Sequence, residues 1–240
     1  MPTPVDVSLV IPVYNERDNL APLLDEIATA LAGRRYEIVA VDDGSTDGSV
    51  AALKGLQPAH PGLHILAFAA NAGQTAAFAA GIRAARGTVI VTLDADGQND
   101  PADIPALLDE LARGDAAAVA GYRAARQDSA WKRLQSRIAN GVRNWLNHET
   151  IRDTGCSLKA FRADAVRDLP LFAGMHRFLP TLVKMRGGAV AEVPVRHRPR
   201  RSGTTKYGMW NRVFRSLADA LAVRWMQRRV LRYRVTEDLP

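Results

Sequence analysis

Residues 88–101 read TVIVTLDADGQNDP, and this stretch decides the fold and the chemistry expected of the chain. It begins with a run of apolar and β-branched residues, which is typical of a strand buried on both faces of a sheet. Two aspartates follow one residue apart, Asp94 and Asp96, with an amide at Gln98. Carboxylates at this spacing, where a strand leaves its sheet, can turn toward one point. Their hard oxygen donors suit Mg²⁺ or Mn²⁺ better than zinc.

The same stretch has a simpler interpretation, as an acidic turn that leads into a helix. Asp and Gly favour turns, and Pro101 suits the first turn of a helix. These residues alone leave both interpretations open. A calcium-binding EF-hand is excluded, because counting from Asp94 puts the glycine at loop position 4 and Pro105 at position 12, where that motif needs a glutamate.

Strand patterns alternate with helical patterns outward from this stretch. The predicted strands cover residues 5–13, 36–41, 63–68, 88–93, 116–120 and 189–195, and the predicted helices cover 18–32, 74–86 and 101–113, with a short one from 47. This alternation predicts an α/β domain, with a mainly parallel, twisted sheet that carries helices on both faces. Such sheets bind ligands at the carboxyl ends of their strands.

Polar residues cluster at these predicted strand ends. They are Asn15 and Glu16, Asp42 and Asp43, Asn71, and Asp94 and Asp96. Several polar groups at one edge of a sheet favour a binding site over a single acidic turn. The Gly-x-Gly-x-x-Gly fingerprint is missing after the first strand, and the sequence has no Walker A loop. A dinucleotide oxidoreductase or a P-loop NTPase is therefore not expected.

The composition is typical of a globular protein, with 47% hydrophobic and 24% charged residues. A lone cysteine, Cys156, cannot form an intrachain disulfide and fits a reducing compartment. No signal peptide and no membrane-spanning helix are predicted. The net charge of +7 is unevenly distributed, since residues 195–234 carry 11 Arg and one Lys against one acid, Asp219. This basic segment predicts an anionic partner.

Eight motifs occur in order between about residues 8 and 208. They are IPVYNE, VDDGSTDGS, NAGQTAAFAAGIRAARG, LDADGQNDP, GYR, SRIAN, DTGCSLKAFR and RSGTTKYG. The first four resemble the family 2 nucleotide-sugar glycosyltransferases, which have the GT-A fold. The last four are similar to the polyprenyl-phosphate branch, which includes dolichol-phosphate mannosyltransferase and bacterial undecaprenyl-phosphate sugar transferases. The resemblance implies a GT-A catalytic domain at residues 1–206, with a nucleotide-sugar-binding half at 1–121, an acceptor-binding half at 122–206 and a separate C-terminal segment at 207–240.

The resemblance implies a UDP- or GDP-sugar donor at the carboxyl edge of the sheet. The residues implied to bind it are Pro12, Tyr14, Glu16, Asp42, Asp43, Asn71 and Gln74, together with Arg201 and Lys206 on a loop that closes over the diphosphate. Asp94, Asp96 and Gln98 match the family's metal-binding Asp-x-Asp-x-Gln. An Mg²⁺ or Mn²⁺ ion would there neutralise charge on the leaving nucleoside diphosphate.

The implied acceptor is a polyprenyl phosphate. Its phosphate would be bound by Arg123, Arg133, Ser136 and Arg137. Arginine forks suit phosphate oxygens, and a solvated basic helix face is the alternative for each of these residues. Asp153 is a further catalytic candidate. A lipid phosphate is largely dianionic because its second pKa is about 6, so it needs no base, and we expect Asp153 to orient Lys159, Arg162 or the acceptor in a single inverting displacement.

A last helix is predicted over residues 207–229. Its apolar stripe comprises Trp210, Val213, Phe214, Leu217, Leu221 and Trp225, with arginines on both sides. A basic amphipathic helix of this kind suits an anionic membrane surface, and covering the core of the sheet is the alternative. We therefore expect a cytoplasmic protein, peripheral on the inner face of the cytoplasmic membrane, held by this helix or by an integral-membrane partner protein.

Two other functions stay open from the sequence. A family 2 glycosyltransferase could act on a saccharide or other hydroxyl acceptor, but this acceptor needs a deprotonating carboxylate and leaves the Arg and Ser candidates unexplained. A nucleic-acid-binding module would use the basic segment. Against it, the basic residues surround an apolar stripe and no recognition motif occurs, so nucleic acid is not expected as a partner.

Overall fold

The computed structural model describes residues 5–124, 141, 149–199 and 209–230, and of residues 209–216 only the helical backbone. The strands are β1 (Val7–Val13), β2 (Tyr36–Asp42), β3 (Leu63–Ala67), β4 (Val89–Thr92), β5 (Ala116–Arg123), β6 (Lys159–Arg162) and β7 (Ala189–Val195). The helices are α1 (Arg17–Ala30), α2 (Ser49–Leu56), α3 (Gln74–Ala84), α4 (Ile104–Arg113), α5 (Ala163–Val166), α6 (Leu179–Met185) and α7 (Met209–Gln227). Short 3-10 turns at Pro101–Asp103 and Met175–Phe178 precede α4 and α6.

The strands form one seven-stranded sheet in the order β3-β2-β1-β4-β6-β5-β7. The pairs β1 with β2, β1 with β4, β2 with β3, and β5 with β7 are parallel. Only β6 among the described strands is antiparallel to its neighbours, β4 and β5. The predicted α/β class with a mainly parallel sheet is confirmed. The sequence pattern predicted neither β6 nor its position between β4 and β5.

Each face of the sheet carries its own hydrophobic core. In β1, Leu9 and Ile11 point into a core formed with α1, α2 and α4. Val10, between them in the chain, points into the opposite core, which α3 and α6 cover. A strand with apolar side chains on both faces is stable only between two layers of helices, and this is why the β-branched runs of the sequence become central strands.

The C-terminal helix α7 packs its Ala220 and Val223 into the core that α3 and α6 cover. Its observed bounds lie within two residues of the predicted helix. Within the described parts of the chain, no helix combines the length and the apolar character needed to cross a bilayer.

Candidate functional site

Two neighbouring aspartates at the end of β2 have different partners. The carboxylate of Asp43 accepts the N–H groups of Ala72 at 2.6 Å and Gly73 at 3.0 Å, and the side-chain amide of Asn71 at 2.9 Å. Asp43 therefore holds the loop that follows β3. Asp42 accepts the N–H of Ser45 through Oδ2 at 2.9 Å, whereas its Oδ1 has no hydrogen-bond partner among the described residues.

The Oδ1 atom of Asp42 is buried and has no hydrogen-bond donor among the described residues. The side chain of Asp42 is only 1% exposed, so water does not readily compensate its Oδ1. A buried acceptor without a donor costs free energy, and native proteins contain few of them. A ligand N–H or O–H group at this place would remove that cost. The sequence predicted that both aspartates bind the donor. In the structure, Asp43 is hydrogen-bonded to the loop after β3, whereas Asp42 keeps one oxygen without a partner among the described residues.

The turn after β2 is fixed by close backbone contact with the loop after β3. Gly44 has φ +72°, and a Cβ atom there would lie 2.6 Å from the carbonyl carbon of Ala70. Asn15, with φ 54°, accepts the N–H of Thr46 at 2.7 Å and so joins the end of β1 to the same turn. The predicted donor-binding residues Pro12, Tyr14 and Glu16 thus lie on the strand end beside Asp42.

Asp94 and Asp96 lie just beyond the end of β4. Gln74, the first residue of α3, donates its side-chain N–H to Asp94 Oδ1 at 2.7 Å. Asp96 is buried, and its Oδ1 accepts the N–H of Gln98 at 3.1 Å. Burial, and then the charge of Asp96, raise the pKa of Asp94 to about 6. A buried carboxylate whose ionisation is disfavoured, beside a second carboxylate, forms a donor set that a divalent cation would stabilise.

Protein ligands beyond this pair are limited in the described part of the chain, where no three His, Cys, Asp or Glu side chains gather as a metal-binding group. Gln98, a diphosphate and water would have to supply the remaining oxygens around an ion at Asp94 and Asp96. Mg²⁺ commonly binds in this way, through one or two carboxylates together with substrate phosphates. The residues present therefore fit a nucleotide-dependent divalent site.

Ser157 contacts the candidate site although no sequence pattern indicated it. Its Oγ accepts the N–H of Asp94 at 3.3 Å and the side-chain amide of Asn99 at 2.8 Å. The carbonyl oxygen of Ser157 also accepts the hydroxyl of Thr92 at 2.6 Å. The residues that precede β6 therefore fix the loop with the acidic pair. No pattern in the sequence indicated this contact, because it exists only when β6 pairs with β4.

Asp153 forms a bidentate ion pair with Arg123, the last residue of β5. Its two carboxylate oxygens accept Nε at 2.6 Å and Nη2 at 2.9 Å. Asp153 was expected to orient Lys159 or Arg162, or the acceptor. The ion pair with Arg123 is a contact that this expectation did not include. The charge of Asp153 also acts on Lys159, whereas Arg162 lies at the far end of β6. The orienting role of Asp153 stays a prediction.

The segment after β7 is attached to the loop of the acidic pair. The N–H of Arg198 donates to the carbonyl of Gln98 at 2.8 Å, and its guanidinium pairs with Asp100 and with Glu26 of α1, both at 2.7 Å. Arg196 pairs with Asp103 at 2.9 Å. The chain therefore leaves β7 directly beside this loop. The predicted site residues Arg201, Lys206, Arg133, Ser136 and Arg137 lie outside the described residues.

Helix α7 presents two different apolar faces. Ala220 and Val223 are 2% and 0% exposed, whereas Leu217, Leu221 and Trp225 are 42%, 51% and 59% exposed. The guanidinium of Arg229 lies 4.9 Å from the centre of the Trp225 ring. One face of the helix covers the core, and the predicted stripe, as far as its side chains are described, is open. The side chains of Trp210, Val213 and Phe214 lie outside the described part of the structure.

Known proteins similar to this chain are glycosyltransferases. A dodecaprenyl-phosphate galacturonate synthase from Rhizobium johnstonii is 38% identical over 230 residues, which cover 93% of this chain and 68% of that protein. An undecaprenyl-phosphate 4-deoxy-4-formamido-L-arabinose transferase from Pseudomonas aeruginosa is 40% identical over 211 residues, covering 86% of this chain and 62% of that protein. The chain thus spans about two thirds of the length of these curated relatives.

Solved structures share the fold at lower identity. Glucosyl-3-phosphoglycerate synthase from Mycobacterium tuberculosis, solved with Mn²⁺, UDP and glucosyl-3-phosphoglycerate, has a TM-score of 0.73 at 19% identity over 93% of this chain and 80% of its own. A mannosyltransferase from Pyrobaculum calidifontis, solved with GDP-Man and Mn²⁺, has a TM-score of 0.66 at 20% identity. The match covers 95% of this chain and 65% of that protein. These likenesses show the GT-A fold. Residues 8–169 also match the family described as glycosyl transferase family 2, and with the relatives above this match shows that the chain belongs to that family.

Proposed function

We propose that the protein transfers one sugar from a nucleotide-sugar donor to a polyprenyl phosphate, in a single inverting displacement. The observation that carries this proposal is the position of β6 between β4 and β5. It brings the Arg123–Asp153 ion pair to the same edge of the sheet as Asp94 and Asp96. An arginine for an anionic acceptor and a carboxylate pair for a metal–diphosphate therefore share one edge. The curated relatives named above are, by name, synthases or transferases of polyprenyl phosphates.

The donor, a UDP- or GDP-sugar, would bind across the ends of β1, β2 and β4. The unsatisfied Oδ1 of Asp42 suits an N–H of the base or an O–H of the ribose. The ring of Tyr14, at the neighbouring strand end, can stack on a base. Asp43, Asn71 and Gln74 contribute by holding the loop and the start of α3 against Asp94, and Pro12 and Glu16 complete this surface.

The expected cofactor is Mg²⁺ or Mn²⁺, held by Asp94, Asp96 and Gln98. When bound, such an ion supplies charge neutralisation to the leaving diphosphate. Both solved structures named above contain Mn²⁺. The chain's own contribution is the fixed geometry of the two carboxylates, which Gln74 and Ser157 orient through Asp94.

On the acceptor side, Arg123 would bind the lipid phosphate, together with Arg133, Ser136 and Arg137. The phosphate oxygen attacks the anomeric carbon while the bond from that carbon to the nucleoside diphosphate breaks. No proton has to leave the acceptor, because the phosphate is already largely dianionic. This agrees with Asp153 being paired with Arg123 as a positioning residue. A hydroxyl acceptor would instead need a carboxylate that is available as a base.

The reaction would take place at an anionic membrane surface, on the cytoplasmic side of the cytoplasmic membrane. Leu217, Leu221 and Trp225 are exposed on one side of α7, with Arg224, Arg228 and Arg229 nearby. Apolar side chains flanked by arginines suit the boundary between headgroups and acyl chains of an anionic bilayer. An integral-membrane partner protein would be a second means of attachment. We retain residues 1–121, 122–206 and 207–240 as donor-binding, acceptor-binding and membrane-surface regions.

The test is a transfer assay with purified protein and Mn²⁺. Radiolabelled UDP- and GDP-sugars would be supplied with a polyprenyl phosphate, with a free saccharide, or without acceptor. We expect label in the lipid fraction for one donor, with a loss of at least 100-fold in Asp96→Asn, whose thermal unfolding stays unchanged. Label in the saccharide and none in the lipid would overturn the proposed acceptor. Full activity of Asp96→Asn would overturn the metal assignment.

A further inference from the structure

Lys159 is a cation at the carboxyl edge of the sheet, near Asp94 and Arg123. Neither the sequence patterns nor the proposed reaction assign it a binding role. It is the first residue of β6, opposite Thr92 of β4 and Ala120 of β5. Because β6 is antiparallel, it begins where its two neighbours end. Asp94 and Arg123 follow those neighbouring positions within three residues. Lys159 therefore lies between the acidic pair of the donor side and the arginine of the acceptor side.

The ammonium group of Lys159 is buried, and few hydrogen-bond acceptors among the described residues replace the water it loses. The residue is 3% exposed, and its one hydrogen bond in the described part of the chain goes from Nζ to the carbonyl oxygen of Cys156. None of the described carboxylates forms an ion pair with it. A lysine ammonium has three donors and is strongly hydrated in water, so burial with a single neutral acceptor is costly. Consistent with this cost, burial lowers the pKa of Lys159.

The charged groups around Lys159 have other partners. Asp153 is bound through both oxygens to Arg123. Asp94, with Asp96, is the pair that would hold the divalent ion. His176 also faces this region from the turn before α6, and burial lowers its pKa to about 3, so it carries no charge near neutral pH. A divalent ion held by Asp94 and Asp96 would neutralise these carboxylates and would leave Lys159 as a buried positive charge.

We propose that Lys159 Nζ binds a phosphate oxygen at the reaction centre, an inference that rests on the proposed function. A compact ammonium suits phosphate as a point charge, and a charge-assisted hydrogen bond would use the donors of Nζ that the described residues leave open. The phosphate belongs either to the donor diphosphate or to the acceptor. Both carry the same chemistry, and the experiment separates them.

The test compares Lys159→Met with Lys159→Arg. Methionine keeps the unbranched chain and removes the charge, and arginine keeps the charge. Calorimetry would measure the Kd of UDP and GDP with Mn²⁺, and the transfer assay would measure the KM of polyprenyl phosphate. We expect Lys159→Met to weaken one of these at least tenfold and Lys159→Arg to weaken it less. A change in the nucleotide Kd assigns the donor diphosphate, and a change in the acceptor KM assigns the lipid phosphate.

Thermal unfolding separates binding from a structural role. Replacing an unpaired buried charge by an apolar side chain is often neutral or stabilising, so the Tm of Lys159→Met should be equal or higher. A lower Tm with unchanged Kd and KM would overturn the proposal, as would unchanged values of all three. Should Lys159→Met not fold, Lys159→Gln takes its place in the same measurements. The unsubstituted protein could also prove to transfer no sugar to any polyprenyl phosphate, while Lys159→Met still weakens nucleotide binding. That result would support the phosphate-binding role of Lys159 and refute the proposed function.

Discussion

Asp42 and Asp43, at the end of β2, are adjacent in the sequence but differ in their hydrogen bonds. Asp43 is saturated by hydrogen bonds from the loop after β3, and Asp42 keeps one buried oxygen that has no donor among the described residues. The two side chains are adjacent, chemically identical and equally buried. Their difference arises only from the loop, which approaches Asp43 because Gly44 lets the two backbones touch. Ligand binding and loop stability should therefore be separable by mutation.

The paired substitutions Asp42→Asn and Asp43→Asn test this separation. Asp42→Asn should weaken nucleotide binding about tenfold or more and leave the free energy of unfolding nearly unchanged. Asp43→Asn should lower the free energy of unfolding by about 1–3 kcal/mol, because a buried N–H of the loop loses its acceptor. Urea unfolding and nucleotide titration would measure both. Equal destabilisation by the two variants would contradict the division of tasks.

Asp94 gives a prediction on pH dependence. Its pKa is raised to about 6, so the folded protein holds a proton that an unfolded chain releases near pH 4. The metal-free protein should therefore lose stability as pH rises from about 4 to 6. Mn²⁺ needs the ionised carboxylate, so its affinity should fall up to about tenfold per pH unit below pH 6. Mn²⁺ titrations between about pH 5 and 7 would check this, with Asp94→Asn as the control that loses the slope. An affinity independent of pH in this range would refute it.

At the scale of elements, β6 assembles the site although its sequence hardly indicates a strand. The central strands were predicted to within a few residues, because their β-branched runs leave few alternatives. The metal-binding role that the spacing of the acidic pair indicates stays a prediction. The four residues of β6 begin with Lys159 and end with Arg162, without a strand's usual pattern. An alternation of strands and helices predicts that neighbouring strands are parallel. It does not indicate where in the sheet an antiparallel strand would lie. Ser157 and the partner of Asp153 were missed for this reason.

The turn before α6 connects the donor side to α7. Thr75, near the start of α3, accepts the N–H of Gly174 at 2.9 Å through its hydroxyl, which also bonds to His176 Nδ1 at 2.8 Å. Gly174 in turn lies against the carboxylate of Asp219 on α7, with no room for a side chain between them. The start of α3 is thus in contact, through one short turn, with the helix that carries the exposed stripe.

Gly174→Ala should disturb this contact, and Gly33→Ala provides a matched control. Both glycines have positive φ, +95° and +79°, so each substitution carries a backbone cost of roughly 1–2 kcal/mol. A Cβ at Gly174 would come within 2.2 Å of Asp219 Oδ2, whereas a Cβ at Gly33 meets nothing within 4 Å. Gly174→Ala should therefore lose about 1–3 kcal/mol more in urea unfolding. An equal loss in the two variants would show that α7 does not depend on this contact.

For the whole molecule, the distribution of charge agrees with an enzyme that works at a surface. The basic residues are concentrated in the C-terminal segment, and Asp94 and Asp96 lie at the carboxyl edge of the sheet. The described half of the stripe on α7 is exposed while the other face of the same helix is buried. The sequence left lipid contact and core packing as alternatives for this helix because spacing alone does not separate them. In the structure α7 packs on the core through one face and leaves the other open.

Two sets of serine substitutions on α7 test what the open face does. Replacing Leu221 and Trp225 should release the protein from vesicles that contain anionic phospholipid, with little change in Tm because both side chains are more than half exposed. Val223→Ser should lower the free energy of unfolding by about 1–3 kcal/mol, because Val223 is fully buried, and should leave vesicle binding intact in the folded fraction. Co-sedimentation with anionic and with zwitterionic vesicles, alongside thermal unfolding, would measure both. Retained sedimentation of the double variant with anionic vesicles would mean that the basic residues or a partner protein, and not the apolar stripe, hold the enzyme at the membrane.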